Sequence, residues 1–233
     1  MRLAIFSDTH GNLQATRHCM EEAERLGAEA FCCCGDVVGY GGAPVETLAL
    51  VRERCAVVVR GNHDEAVASK VGLEMLPPAG AAAAQDHHDR LPEADRDWLG
   101  ALPLVAEAHG CTFVHAAPSD PAAWLRLDSF PRLREQFAHF QTALCFVGHS
   151  HAPAVAAEKI GVLSVRPGLR YLIDVGSVGQ PRDGDPRAAF GLLDTETGAY
   201  EAVRVGYDVD GAAADIRAAG LPESLAARLY AGR

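Results

Sequence analysis

Hydrophobic and polar positions alternate with a regular beat over the first sixty residues. Arg2 to Ser7 is a short, mostly apolar run that reads as a strand. Residues 13 to 26 then place Leu13, Thr16, Met20, Ala23 and Leu26 on one side of a helix, and Gly27 stops it. Residues 30 to 34 read as a second strand, Pro44 opens a helix to about Arg54, and Cys55 to Val59 is a third apolar run. That β-α-β-α-β order predicts an α/β layer of largely parallel strands.

The pattern then changes. Residues 65 to 105 read as two or three short helices divided by Pro77-Pro78 and Pro92, a helical insertion expected to stand as a cap over one edge of the site. His87 and His88 are adjacent there, so they point apart on a helix and read as a solvated polar face. Cys111 to Val114 and Ala143 to Val147 are further strands, with a helix from Pro131 to Phe140 between them. Short runs at 153–157, 161–165, 171–175, 188–193 and 199–206 follow, separated by Gly or Pro turns. They predict an antiparallel second sheet, and two short helices at about 211–219 and 221–230 close the chain. With no repeat or low-complexity linker, residues 1–233 are expected to form one domain.

Composition narrows the function classes. The chain has 233 residues and a formal net charge of -10, with 21 Lys+Arg against 31 Asp+Glu. Such a balance repels a nucleic-acid backbone, so a polymer substrate is not expected. No run approaches the roughly 18 apolar residues of a membrane span, and the N-terminal run is too short for a signal peptide. A cytoplasmic protein is expected. Seven cysteines include no Cys-x-x-Cys pair and fall mostly in apolar runs, where they act as small hydrophobes.

The chemistry concentrates where strands end. Gly35-Asp36 closes the second strand, and in open α/β sheets ligands sit at the carboxyl ends of the strands. Four other runs stop on polar clusters: Asp8-x-His10, Gly61-Asn62-His63-Asp64, His115 and Gly148-His149-x-His151. Imidazole mixed with carboxylate and amide oxygen suits Mn, Fe, Zn, Ni or Co rather than Ca, and the lack of thiolates argues against a structural zinc. Two cations about 3.5–4 Å apart need a bridging ligand, a task for the two-oxygen carboxylate of Asp36. Asp8, His10 and one later histidine would complete one site, and Asn62, His115 and another histidine the second.

Together these motifs, spanning residues 8 to 151, resemble the calcineurin-like metallophosphoesterase superfamily. The resemblance implies two facing mixed β-sheets with helices outside. It places Asp8, His10, Asp36 and His151 on one divalent ion and Asp36, Asn62, His115 and His149 on the other, with manganese the first expectation. His63 matches the superfamily's catalytic histidine, which donates a proton to the leaving oxygen or stabilises its charge. The implied reaction is in-line attack on phosphorus by a hydroxide held between the metals.

Departures from the pattern sort the branches. Gly39-Tyr40-Gly41 stand where protein Ser/Thr phosphatases carry Asp-Arg-Gly, so the acid that orients the histidine and a phosphate-clamping arginine are both absent. Ala116 follows His115 where relatives often have glycine. The stretches 35–41 and 176–187 resemble a compact prokaryotic branch described as phosphodiesterases or diadenosine-tetraphosphatase-related. Within the second stretch Arg182 and Arg187 are candidates to grip substrate phosphates, the alternative being that they brace the loop against Asp183 and Asp185. The expected substrate is a small phosphodiester or dinucleoside polyphosphate. A phosphomonoesterase, a protein phosphatase, a nuclease and a metal-bound scaffold without activity are the other readings, and no oligomeric state is assigned.

Overall fold

The computed structural model describes residues 1–159, 165–166 and 168–233. The first half follows the expected alternation: β1 (Arg2–Phe6), α1 (Leu13–Arg25), β2 (Ala30–Cys33), α2 (Pro44–Arg54) and a two-residue β3 (Val57–Val58). β1 pairs in parallel with β2, and β2 with β3. Asn12 caps α1 by accepting from the Ala15 N–H at 3.0 Å, and Pro44 occupies the first turn of α2, where its missing donor costs nothing.

Three helices fill the predicted insertion: α3 (Asn62–Ser69), α4 (Pro78–Arg90) and α5 (Glu93–Ala101). Ala66, Val67, Ala84, Leu91 and Leu99 from these helices join the cluster that also contains Ala4, Phe6 and Leu48. The insertion therefore packs into the core rather than only covering an edge. It ends about where expected, in a strand that the sequence pattern did not reveal. Val105–Ala108 is a strand, β4, returning through His109-Gly110 to pair antiparallel with β5 (Cys111–Val114). His109 and Gly110 have φ of 53° and 74°, the double positive φ that lets a two-residue turn match strand twist.

The remaining elements are α6 (Phe130–Gln136), β6 (Leu144–Val147), β7 (Ala154–Ala157), β8 (Tyr171–Asp174), β9 (Ala188–Asp194), β10 (Tyr200–Val205), α7 (Val209–Ala218) and α8 (Glu223–Ala231). The tail does not build a sheet of its own, contrary to expectation. β9 runs antiparallel onto β1 and β10 antiparallel onto β9, giving the order β10-β9-β1-β2-β3. β7 and β8 complete the other sheet, β4-β5-β6-β8-β7, in which β8 is parallel to β6. The run expected at 161–165 lies, but for its last residue, outside the described residues.

Two mixed five-stranded sheets flanked by helices result, as the family resemblance implied. Strand periodicity sorts the core. Leu3, Ile5 and Cys32 face Phe113, Phe146 and Ile173 between the sheets, while Ala4, Phe6 and Cys33 face the helices. All seven cysteines are free. Because β1, β2, β5 and β6 are buried along their whole inner length, the loops at their carboxyl ends are brought together at one rim.

Candidate metal centre

Each loop at that rim is shaped by its own backbone bonds. The loop after β1 is zipped to the loop after β2: Asp8 N–H donates to Gly35 C=O at 2.9 Å, and His10 N–H to Asp36 C=O at 3.0 Å. Asp64, in the first turn of α3, ties the second loop to the third. Its carboxylate accepts from the N–H groups of Asp36 and Val37, both at 2.8 Å, and of Gly61 at 3.0 Å. This acid therefore holds the loops and does not orient His63. A side chain at Gly61 would collide with the Asp36 carboxylate, so only glycine lets the loops approach this closely.

Five residues of the predicted ligand set, Asp8, His10, Asp36, His149 and His151, have positive φ. For non-glycine residues that conformation costs roughly 1–3 kcal/mol each and persists where surrounding structure imposes it, as at functional sites.

The side chains form two clusters. Asp8, His10 and His151 make one; Asp36, His115 and His149 make the other, and in each the potential ligand atoms lie within 4.8 Å of one another. Asp8 Oδ1 is 3.2 Å from His151 Nε2 and 3.6 Å from His10 Nε2. Asp36 Oδ2 stands between the clusters, 3.3 Å from His115 Nε2 and 3.7 Å from His10 Nε2. Its other oxygen accepts the His63 N–H at 2.8 Å. A single carboxylate oxygen thus faces both clusters, rather than one oxygen per ion. Asn62 Oδ1 lies 3.2 Å from His115 Nε2 and adds an amide oxygen to the second cluster.

The donor set fits divalent metals. His10, His115 and His151 place Nδ1 within 2.9, 2.8 and 2.6 Å of the carbonyls of Val38, Cys34 and Gln180. Each carbonyl takes an Nδ1–H, which leaves the Nε2 lone pairs pointing inwards. His10 Nε2 and His151 Nε2 then face each other at 3.2 Å, and Asp8 Oδ1 is buried without a hydrogen-bond donor. Acceptors converging on acceptors favour a cation between them, a metal ion or a proton. Protons respond accordingly. Burial disfavours a charge on His115, yet Asp36 beside it raises its pKa to about 10, whereas burial lowers His149 and His151 to about 4.

A cleft of about 720 Å³ opens beside the clusters, lined by Asp36, Asn62, His63, His149, His151 and Arg182 among others. His63 is buried, its Nδ1 has no hydrogen-bond partner, and its ring lies 4.4 Å from that of Tyr40. Burial, reinforced by His10, His151 and Arg182, keeps its pKa well below the usual imidazole range. The two loop arginines separate. The Arg182 guanidinium sits 5.2 Å over the Tyr40 ring, is held by Gln180 Oε1 at 2.8 Å, and lines the cleft. Arg187 is exposed and bound to Asp185 at 2.7 Å, and Asp183 pairs with Arg204.

Two residues gain a place that the sequence did not suggest. His87 is fully buried, not a solvated surface group. It accepts the Gly39 N–H at Nδ1, and its Nε2 faces Gly41 C=O at 2.8 Å. His88 does lie partly exposed, against Val67 C=O at 2.7 Å. Trp124 lines the cleft with its ring 6.0 Å from that of His115 and set edge-on to it. The Trp residue stood in a stretch with no clear periodicity, and no motif marked it.

Two mixed sheets, with two His and Asp clusters that could each hold a metal ion gathered at one rim beside Asp36, define an α/β protein with a candidate metal centre. The chain belongs to the calcineurin-like phosphoesterase superfamily, whose domain model matches residues 1–198. An uncharacterized protein of Methanocaldococcus jannaschii is 36% identical, over 99% of this chain and 98% of its own. The structure is similar to that of a metallophosphoesterase from Sphaerobacter thermophilus, with TM-score 0.88 and 34% identity over 100% of this chain and 99% of that one. A hypothetical protein from Pyrococcus horikoshii OT3 shares the fold, with TM-score 0.83 and 21% identity over 100% and 98% of the two chains. No helix among the described residues is long and apolar enough to cross a membrane.

Proposed function

We propose that this protein is a dinuclear-metal phosphodiesterase acting on a small soluble diester. The observation that carries the reading is Asp36 Oδ2, set between two clusters of inward-facing lone pairs and opening on the same cleft as His63 and Arg182. Asp8, His10, Asp36 and His151 would hold one divalent ion, and Asp36, Asn62, His115 and His149 the other. When bound, such a pair polarises the phosphoryl oxygens and lowers the pKa of a coordinated water towards neutrality.

The chain's own residues divide the remaining work. Arg182, fixed by Gln180 and stacked on Tyr40, is preorganised to donate to a non-bridging phosphate oxygen. His63 presents its imidazole to the cleft without being a ligand, so it is free to donate an N–H to the leaving oxygen and stabilise the charge that develops there. Tyr40 fills the space between His63 and Arg182, which shapes the floor of the site and keeps out water.

The arrangement favours one phosphate over several. Arg187 is committed to Asp185, so the loop 176–187 offers Arg182 alone. A diester, with one negative charge, is matched by that single guanidinium. The test is hydrolysis of bis(p-nitrophenyl) phosphate, p-nitrophenyl phosphate and diadenosine tetraphosphate by protein stripped with a chelator and resupplied with Mn²⁺, Ni²⁺, Co²⁺ or Zn²⁺. The stripped protein is expected to be inert and the reconstituted one to prefer the diester. Turnover without metal, or a clear preference for the monoester, would overturn the reading.

A further inference from the structure

Part of the cleft lining has a different chemistry from its candidate metal ligands. Val71, Met75, Leu76 and Trp124 form it, and Val71 and Met75 are 61% and 82% exposed. Large apolar side chains left open beside a charged site mark a surface that something apolar covers. The indole is coupled to the centre, since it meets the ring of His115 edge-on at 6.0 Å. Trp124 is also held in the left-handed region, at φ 52°, where a bulky residue is uncommon.

Charge here argues against a second phosphate. Glu65 and Glu74 line the cleft together with Arg126, beside the Arg182 already turned to the metal centre. Two carboxylates repel further phosphoryl groups but accept hydrogen bonds from amino or hydroxyl groups.

We infer that Trp124, with Val71, Met75 and Leu76, forms a shelf for a planar aromatic ring carried by an ester substituent of the phosphate at the metal centre. This rests on the phosphodiesterase reading and names its substrate class: an ester bearing an aryl ring or a nucleobase. A substituent esterified to a phosphate beside His115 passes the indole, with its ring either on the ester oxygen, as in an aryl ester, or one ribose further on, as in a nucleotide. Stacking needs only a π face and so tolerates different rings, while Glu65 and Glu74 supply acceptors that a nucleoside can use and a simple aryl group cannot.

The test separates the shelf from the chemistry. Trp98, which stacks under Arg52 away from the cleft, is replaced by Phe so that Trp124 alone reports. The Zn²⁺-reconstituted full chain is then titrated, by fluorescence, with AMP, phenyl phosphate, ribose 5-phosphate and inorganic phosphate. The first two are expected to change the Trp124 emission saturably and the last two not. A tighter response to AMP than to phenyl phosphate identifies the ring as a nucleobase; equal responses identify an aryl group. In competition against bis(p-nitrophenyl) phosphate, Trp124→Ala is expected to raise Ki for the two aromatic ligands about fivefold or more and to leave that of inorganic phosphate unchanged. Trp124→Phe is expected to restore most of the loss. Equal weakening of all four ligands, or no response of Trp124 to any ring, would sink the shelf. If the titration saturates but no ester is hydrolysed with any metal, the phosphodiesterase reading fails and the shelf stands.

Discussion

The Gly39 N–H donates to Nδ1 of His87 at 2.9 Å, across 48 residues of sequence and from the insertion into the loop after β2. Because Nδ1 accepts, Nε2 carries the proton and donates to Gly41 C=O. Burial pushes the His87 pKa down to about 3, so this tautomer persists at neutral pH. The segment it pins carries Tyr40, and a side chain at Gly39 would run into the His63 ring. His87 is thus a positioning residue for His63 and, through Tyr40, for Arg182.

Replacing His87 by Leu is accordingly expected to lower kcat about tenfold or more while the bound-metal count stays at wild type, since misplacement by a fraction of an ångström is costly in catalysis. His87→Asn, which can still accept from Gly39, is expected to recover part of the loss. Steady-state kinetics with metal analysis checks both variants. Loss of metal together with activity would assign His87 to general folding instead.

Asp36→Asn is expected to reduce bound metal and activity more than Asp8→Asn, because Asp36 alone faces both clusters. Elemental analysis of the two variants decides it. Two full equivalents of metal in Asp36→Asn would contradict the bridging arrangement.

His63→Ala is expected to keep its metal and lose kcat by about 10²–10⁴ with an alkyl leaving group. With nitrophenolate, which needs little help in leaving, the loss is expected to shrink. Equal losses would point to positioning of the phosphate rather than to the leaving oxygen.

The arginines are expected to part company. Arg182→Ala loses a charge-assisted bond to substrate, about 1.5–3 kcal/mol in kcat/KM. Arg187→Ala removes only an exposed pair with Asp185 and is expected to leave kcat/KM within about twofold of wild type. An equal loss in both would return Arg187 to the substrate.

Asp174 supplies a pH prediction. Burial raises its pKa to about 8 despite hydrogen bonds from Ser150 Oγ at 2.6 Å and Gly176 N–H at 2.9 Å. The folded state therefore holds a proton that the unfolded chain releases near pH 3.8. Stability from this group is complete below that value and is lost as pH rises towards 8. Asp174→Asn is expected to flatten the fall in Tm between pH 5 and 8, by about 2–4 °C per kcal/mol relieved. Parallel Tm curves for the two proteins would rule this out.

What the sequence determined by itself is which side chains are candidates to bind a metal. Most of the candidate ligands lie in motifs of a few residues at the end of a strand, so local spacing suffices to pick them out: Asp8 with His10, Asp36 after Gly35, Asn62 after Gly61, His149 with His151. The parallel half-sheet and α1 and α2 were legible for the same reason, since their periodicity repeats within one element. Tertiary structure decided whatever depends on a partner distant in the chain. The tail strands carry similar apolar patterns, and only the free edges of β1 and β6 sent β9 to one sheet and β8 to the other. His87 and His88 are the same residue type side by side, yet one is buried against Gly39 and Gly41 because α4 packs there. Arg182 and Arg187 share one loop and one charge, but Tyr40 and Gln180 claim the first while Asp185 holds the second. A side chain's chemical type is written in the sequence; its partner, and with it its protonation and its role, is set by what folding brings within about 3 Å of it.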